Sequence, residues 1–270
     1  MVNILLFIFA FLTPWGVMAE VLPDAATLEI KLNTKPQTVR VSEPHLSQNG
    51  KQVIRSYRGW PAVQVLDLLL GAHWRAPGVE VEFRALDGYV SRIPSERFLK
   101  FEAFLTYEHV GHRRFVVDNL EQNERDVALG PYYLVWNNIR HPELLPEGGT
   151  YWPYQVKQIL SSTAFKTALL PPGLPASLSG SAAIAQKYCL SCHKVNGFGG
   201  DKWPGNLALQ ARQFQADDFV RWVISPGAVK PGTTMPGLPI SLPQVERERL
   251  AQLLHGYLTQ VPVSPESAVK

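Results

Sequence analysis

The stretch Cys189-Leu190-Ser191-Cys192-His193 decides how this chain is interpreted, and it contains both cysteines of the protein. Two thiols in the C-x-x-C-H spacing add to the vinyl groups of a haem, and the adjacent histidine binds the iron. Two alternatives use part of the same pattern. A thioredoxin-like redox pair is expected after a strand in a βαβ unit, and a zinc site needs a second pair of ligands. The sequence offers neither context. We therefore predict one covalently attached haem c at Cys189 and Cys192, with His193 as the proximal iron ligand.

A second iron ligand is expected downstream, in a loop that reaches the other face of the haem. Met235 lies in such a loop, Thr233-Thr234-Met235-Pro236-Gly237, among residues that break helices. The usual role of a methionine is to fill a hydrophobic core. Here Met1 and Met18 fall in a predicted signal peptide, so Met235 is the one methionine of the mature chain. Ligation by a thioether favours ferrous iron, so we expect a relatively high reduction potential.

Residues 178–261 resemble a class I cytochrome c domain. The resemblance covers a short helix into the haem motif, the loop Trp203-Pro204-Gly205-Asn206-Leu207, the methionine loop and an amphipathic helix over Leu242–Leu258. It implies an all-α fold in which the first and last helices pack together. It also implies that the Pro204 carbonyl accepts a hydrogen bond from the His193 ring and orients it. The sequence departs from the family at Ala185, where an aromatic residue is common.

The rest of the chain predicts a second domain of a different class, since 270 residues exceed the usual length of one domain. Over residues 20–165, strict alternation in Thr27–Leu32 and Val79–Phe83 predicts strands, and Asp87-Gly88 predicts a hairpin turn. Ala62–Leu70 predicts a helix that ends at Gly71. We expect a mixed α+β domain, joined to the C-terminal domain by a proline-rich linker at residues 166–177.

This first domain resembles the molybdopterin-binding oxidoreductase domain of the sulfite-oxidase type. The resemblance rests on Tyr57-Arg58-Gly59-Trp60-Pro61, Asp87-Gly88-Tyr89 and Gly130-Pro131-Tyr132-Tyr133-Leu134-Val135. It implies the fold and a pocket for a pterin or another small ligand. Catalytic members of the family hold molybdenum through a cysteine thiolate, and both cysteines here belong to the haem motif. A molybdenum cofactor is therefore not expected.

The N-terminus predicts export. Ile4–Leu12 is an apolar run, Pro14 and Gly16 break a helix after it, and Ala19 offers a cleavage site, as in a secretory signal peptide over residues 1–19. The segment before the apolar run has no lysine or arginine. An uncleaved membrane anchor is the alternative, although the run is about half of the ~20 residues that a spanning helix needs. We expect a periplasmic protein with a flexible tail at residues 262–270.

The charge pattern bears on partners. The net charge is +3, and the excess of basic side chains lies in residues 176–270. No block of like charges forms a nucleic-acid stripe, so a mild docking field for an acidic redox partner is the better interpretation. Four lysines near the haem segments could form that docking surface or could simply be solvated: Lys187, Lys194, Lys202 and Lys230.

Together these patterns predict an exported monohaem cytochrome that carries single electrons, with the first domain docking a partner. Two alternatives stay open. The protein could be a subunit of a periplasmic oxidoreductase whose first domain acts on a substrate, or a sensor whose first domain binds a pterin-like ligand. The sequence leaves open whether the chain is an enzyme.

Overall fold

The computed structural model of the protein describes residues 20–47, 51–162 and 168–264. The predicted signal peptide, its cleavage site after Ala19 and the alternative membrane anchor lie outside these residues, and so does most of the predicted tail. In the described part of the chain, no helix is both long enough and apolar enough to cross a membrane.

Residues 20–162 form the strand-rich region. Its described strands are β1 (Glu20–Val21), β2 (Gln37–Ser42), β3 (Ile54–Pro61), β4 (Glu80–Ala85), β5 (Val90–Pro94), β6 (Ala103–His109), β7 (Val116–Asn119), β8 (Glu124–Ala128), β9 (Tyr133–Trp136) and β10 (Val156–Ser162). They build two four-stranded antiparallel sheets, in the orders β1-β10-β4-β5 and β2-β3-β6-β9, and the separate hairpin β7-β8. The helices are α1 (Ala25–Leu32), α2 (Ala62–Leu70) and α3 (Ser95–Lys100), with short 3-10 helices at Ala72–Arg75, Leu120–Gln122 and Pro142–Glu147.

The sequence patterns predicted several of these elements. The helix over Ala62–Leu70 and the β4-β5 hairpin around Asp87-Gly88 are confirmed. The strand predicted at Thr27–Leu32 is wrong, because this segment is part of helix α1. Asp24 caps the helix by accepting a hydrogen bond from the Thr27 N–H at 2.8 Å, and Asn33 ends it in the left-handed conformation.

Residues 168–264 form the helix-rich region. Its elements are α4 (Ser179–Tyr188), β11 (Lys194–Val195), β12 (Phe198–Gly199), α5 (Leu207–Ala211), α6 (Ala216–Ile224), α7 (Pro226–Val229) and α8 (Gln244–Gln260), preceded by a 3-10 helix at Ala176–Leu178. Helices α4, α5 and α6 all pack against α8, and a separate hydrophobic core forms among them. The predicted linker contributes to this core, because Leu169 is fully buried and its carbonyl accepts a hydrogen bond from the Tyr257 hydroxyl at 2.8 Å.

The fold class predicted from the sequence is wrong. The chain is a mixed α/β protein with several antiparallel sheets, and its C-terminal third is not all-α because it contains the β11-β12 hairpin. Asn196 and Gly197 connect these two strands, and both have positive φ values, 50° and 80°. Two such residues form the tight turn that matches the twist of a two-residue hairpin, and Asn-Gly is the dipeptide that favours it.

The two regions are joined by backbone hydrogen bonds. The Val90 N–H donates to the Ser191 carbonyl and the Asp201 N–H donates to the Gly88 carbonyl, each at 2.8 Å. Gly88 has a φ of +88°, and a Cβ atom there would lie 2.9 Å from the Asp201 carbonyl carbon. The tip of the β4-β5 hairpin therefore packs directly against the segment between the two cysteines. Only glycine suits this position, because the φ value is positive and the backbone contact leaves no room for a side chain.

A buried ion pair also contributes to the contact between the two regions. Arg92 and Glu82 lie 2.6 Å apart with side chains 7% and 5% exposed, and the Arg92 guanidinium lies 3.9 Å from the centre of the Phe198 ring in β12. Nearby, the Gln186 side chain of α4 donates to the Glu80 carboxylate at 2.6 Å. The strand-rich and helix-rich regions therefore share an interface built from backbone, charge and ring contacts.

Candidate functional site

A central cleft opens between the two regions and contains about 1430 Å³ of space without protein atoms, including its open mouth. The helix-rich region supplies its apolar wall, which consists of Leu207, Phe214, Phe219, Trp222, Val223 and Leu238. The strand-rich region supplies its polar wall, which consists of His45, Asn119, Glu121, Gln122, Glu147 and Thr150. Cys189, Cys192, His193 and Met235 line the same cleft. The residues singled out in the sequence as a haem-binding set thus come together at one place.

The haem motif continues from the end of α4 as one further turn. The Cys189 N–H donates to the Ala185 carbonyl at 2.8 Å, and the Cys189 carbonyl accepts from the N–H groups of Cys192 at 3.3 Å and His193 at 3.0 Å. This turn brings both thiols and the imidazole to the cleft. The C-x-x-C-H spacing therefore explains why all three side chains reach the cleft together.

Gly200 fixes the backbone of the Cys189–His193 segment. The Gly200 N–H donates to the carbonyls of Leu190 at 2.8 Å and His193 at 3.0 Å. A Cβ atom on Gly200 would lie 2.0 Å from the Ser191 carbonyl oxygen, so any side chain would displace the backbone between the cysteines. The close approach of these two backbone segments requires glycine.

The two thiols are free, and burial favours their protonated form. Burial raises the pKa of Cys189 to about 12 and that of Cys192 to about 11. Redox-active cysteine pairs and zinc sites depend on thiolates, whose pKa is lowered by nearby positive charge or metal. Among the described residues, no group of three histidine, cysteine, aspartate or glutamate side chains could hold a metal ion. The raised pKa values are unlike those of a redox-active thiolate pair.

His193 has a buried nitrogen without a partner. Burial lowers the pKa of its imidazole, and its Nδ1 atom has no hydrogen-bond partner in the described part of the chain. The Pro204 carbonyl, which the cytochrome resemblance assigns to this ring, accepts a hydrogen bond from the Gln210 side chain at 3.1 Å. The structure therefore contains the imidazole in the cleft without the predicted bond that would orient it.

Met235 reaches the cleft on a loop that both regions hold. The Met235 N–H donates to the Thr233 hydroxyl at 3.2 Å, and the Leu238 N–H donates to the Val223 carbonyl at 3.0 Å. From the strand-rich region, the Asn123 side-chain amide donates to the Thr233 carbonyl at 2.9 Å. The position of the thioether thus depends partly on the other region.

The four lysines proposed for docking have different surroundings. Lys202 is mostly buried and lies 3.0 Å from Asp87 of the strand-rich region, so it serves the contact between the regions. Lys194 pairs with Asp201 at 2.6 Å, and Lys187 lines the cleft with its ammonium group 5.3 Å from the centre of the Tyr188 ring. Lys230 is exposed. They do not form one uniform surface.

The polar wall was missed by sequence reasoning. Behind it, the fully buried Glu43 carboxylate accepts hydrogen bonds from the hydroxyls of Tyr57 at 2.6 Å and Tyr133 at 3.0 Å and from the His45 N–H at 3.2 Å. Burial, and next the Glu43 carboxylate, raise the pKa of both tyrosines. Tyr57 and Tyr133 stand in two of the segments that carry the molybdopterin-domain resemblance, but nothing in the sequence marks them as a site. Glu43 and His45 match no spaced motif.

No protein-family model matches the chain, and no curated protein matches its sequence. The resemblances to a cytochrome c domain and to a molybdopterin-binding domain stay predictions. The function is therefore inferred from the cleft itself.

Proposed function

We propose that the protein is an exported electron-transfer protein with one haem c in the central cleft, attached at Cys189 and Cys192 and ligated by His193 and Met235. One observation carries this proposal. Met235, distant in the sequence from the haem motif, lines the same cleft as both cysteines and the histidine. An imidazole and a thioether lining one cleft are the two kinds of side chain that ligate the iron of an electron-transfer haem in cytochromes c.

The chemistry of the cleft residues fits this group. Two protonated thiols can each form a thioether, His193 offers an imidazole, and the apolar wall presents aromatic and aliphatic side chains to a flat hydrophobic ring system. When bound, the haem supplies a reversible one-electron couple at its iron. His193 and Met235 would be the iron ligands, and the apolar wall would exclude water and favour the less charged, reduced state.

The strand-rich region supports a role in positioning this centre. Its hairpin tip covers the segment between the cysteines through the Val90 to Ser191 hydrogen bond. Electron exchange with an acidic redox protein would then use the part of the cleft mouth that stays open. Such encounters are brief and bury less than about 1,200 Å² in total.

A second candidate is an oxidoreductase subunit or a ligand-responsive sensor, and the polar wall favours it. A simple carrier has no need for His45 and Asn119 beside its haem, whereas a substrate or ligand site does. No cysteine remains to hold molybdenum. Metal analysis of the purified protein separates the candidates, since one iron and no molybdenum per chain supports the carrier, and a molybdenum or pterin content supports the enzyme.

Covalent attachment is tested by producing the full chain in a host that attaches haem c. We expect a coloured protein whose haem stays on the chain after denaturation. Cys192→Ala should leave a single thioether, with a shifted spectrum of the reduced haem, and Ser191→Ala is the matched control that leaves the attachment intact. A colourless wild-type protein from this host would contradict the proposal.

The methionine ligand is tested with Met235→Leu, which keeps an apolar side chain and removes the sulfur. We expect loss of the weak near-red absorption of sulfur-to-iron charge transfer and a lower reduction potential. If the spectrum and the potential of Met235→Leu equal those of the wild type, Met235 is not a ligand.

A further inference from the structure

Two side chains of the polar wall have buried atoms that nothing in the fold uses. His45 is 7% exposed and Asn119 is 1% exposed. His45 Nε2 and Asn119 Oδ1 have no hydrogen-bond partner among the described residues, although both side chains line the cleft. Buried polar atoms in native proteins are nearly always paired, so each unpaired one calls for an explanation, such as a molecule bound there.

The two side chains form one preorganised site. The Leu120 N–H donates to the His45 carbonyl at 3.3 Å, which places Asn119 next to His45. Tyr154 contacts both, because its hydroxyl accepts a hydrogen bond from the Asn119 amide at 3.4 Å and its ring meets the His45 ring edge-on with centres 5.7 Å apart. A Cβ atom on Gly149 would lie 2.7 Å from His45 Cε1, so a side chain there would displace the imidazole.

The charges around this site indicate an uncharged ligand. Glu147 pairs with Arg97 at 2.5 Å, and Lys202 pairs with Asp87 at 3.0 Å. The other charged side chains that line the cleft are Glu121 and Lys187, which have opposite signs. A charged ligand would gain no net attraction here and would lose its hydration on entry.

We propose that the polar wall binds a small uncharged molecule with a hydroxyl group, an alcohol or a phenol, through His45 Nε2 and Asn119 Oδ1. A hydroxyl suits this pair because it donates one hydrogen bond and accepts others, so it satisfies an amide oxygen and an imidazole nitrogen together. The proposal goes beyond electron transfer. It depends only on the polar wall, so it holds or fails independently of the haem.

The test uses phenol as the probe and anisole, which lacks the O–H group, as the matched ligand. Binding to the full-length protein is followed by calorimetry and by NMR shifts. We expect phenol to bind about tenfold or more tightly than anisole, because loss of one well-formed hydrogen bond weakens binding by about that factor. Asn119→Leu should weaken phenol binding about tenfold or more and leave anisole binding unchanged, because anisole has no hydrogen to donate to Oδ1. His45→Leu should weaken the binding of both ligands, because the oxygen of each accepts a hydrogen bond from Nε2.

A second measurement separates binding from structure. Asn138 is a matched asparagine of the same region, 3% exposed, and both of its amide atoms are bonded to the Ser42 backbone at 2.9 and 2.8 Å. We expect Asn138→Leu to lower the melting temperature clearly, and Asn119→Leu to leave it unchanged or raise it, because an unpaired buried acceptor is removed.

Three results would overturn the proposal. The first is equal binding of phenol and anisole. The second is a loss of thermal stability in Asn119→Leu as large as that in Asn138→Leu, which would make Asn119 structural. The third is no phenol binding at millimolar concentration with an ordered water on both atoms in a crystal structure. If the purified protein contains no haem and still binds phenol through these residues, the site stands and the electron-transfer function fails.

Discussion

The interiors of the two regions contain different kinds of side chains. In the described part of the strand-rich region, the buried polar side chains include charged and titratable ones: Glu43, His45, Glu82, Arg92 and His109. In the described part of the helix-rich region, the buried polar side chains are the uncharged Ser181 and Asn206. The helix-rich region is therefore held together by packing, whereas the strand-rich region also depends on paired charges and hydrogen bonds, some of them beside the cleft.

The largest test of this contrast removes a buried charge. Glu82→Gln should lower the free energy of unfolding by about 3–5 kcal/mol, because Arg92 keeps its buried charge and loses its carboxylate partner. In the helix-rich region, the matched substitution Asp218→Asn removes an exposed partner of Arg221 and should cost less than about 1 kcal/mol. Both values are measured by urea unfolding at neutral pH. Similar losses in the two variants would contradict the contrast.

The pH dependence of the folding stability provides a second test of this contrast, through the titration of His109. Burial, and next the neighbouring His112 and Arg55, lower the pKa of His109 from 6.5 to about 4. Tyr57 and His112 contact its ring, with centres 5.1 and 3.7 Å away. Between about pH 6.5 and pH 4 the unfolded chain binds more protons at this residue than the folded chain does. Stability should therefore fall by up to about 3 kcal/mol as the pH falls through this window.

His109→Gln removes this proton-linked loss. The variant should lose less stability than the wild type between pH 7 and pH 4 in urea unfolding experiments, whatever its stability at pH 7. An unchanged difference between the two pH values would show that His109 does not titrate as its burial requires.

The smallest expected effect concerns the link between the regions at the methionine loop. Asn123→Gly removes the amide that donates to the Thr233 carbonyl, and glycine tolerates the positive φ of 53° found at this position. We expect about 1 kcal/mol less stability of the methionine loop. In the haem-loaded protein, the near-red absorption should disappear at lower urea concentration than in the wild type.

Asn33→Gly is the matched control, because Asn33 also has a positive φ, of 50°, and lies at the end of α1. It should leave the near-red absorption at its wild-type urea midpoint. The same shift in both variants would mean that the cross-region hydrogen bond has no part in holding the loop.

Local sequence signals predicted the elements that local physics determines. Gly71 at the end of Ala62–Leu70 and Asp87-Gly88 between two alternating segments gave a helix and a hairpin that the structure contains. The alternation in Thr27–Leu32 led to a wrong strand prediction, because six residues can fit both the two-residue period of a strand and the roughly 3.6-residue period of a helix. The capping residues Asp24 and Asn33 on either side were the better signal, since they mark the ends of a helix. The Asn196-Gly197 turn was equally visible and would have corrected the all-α prediction.

The residues that line the cleft were only partly predictable from local sequence signals. That Cys189 and His193 would lie on one turn was predictable from their spacing in the sequence. The pairing of His45 with Asn119 was not predictable, because His45 follows β2 and Asn119 ends β7, and the two are brought together by the Leu120 to His45 backbone hydrogen bond. A site assembled by tertiary contact between distant segments has no linear signature.

The hydrogen bond from Val90 to Ser191 covers the backbone between the two cysteines in the folded protein. If a haem is attached at Cys189 and Cys192, as proposed, an enzyme that binds this backbone would compete with the tip of the β4-β5 hairpin for the Ser191 carbonyl. We would then expect attachment to precede the docking of the two regions.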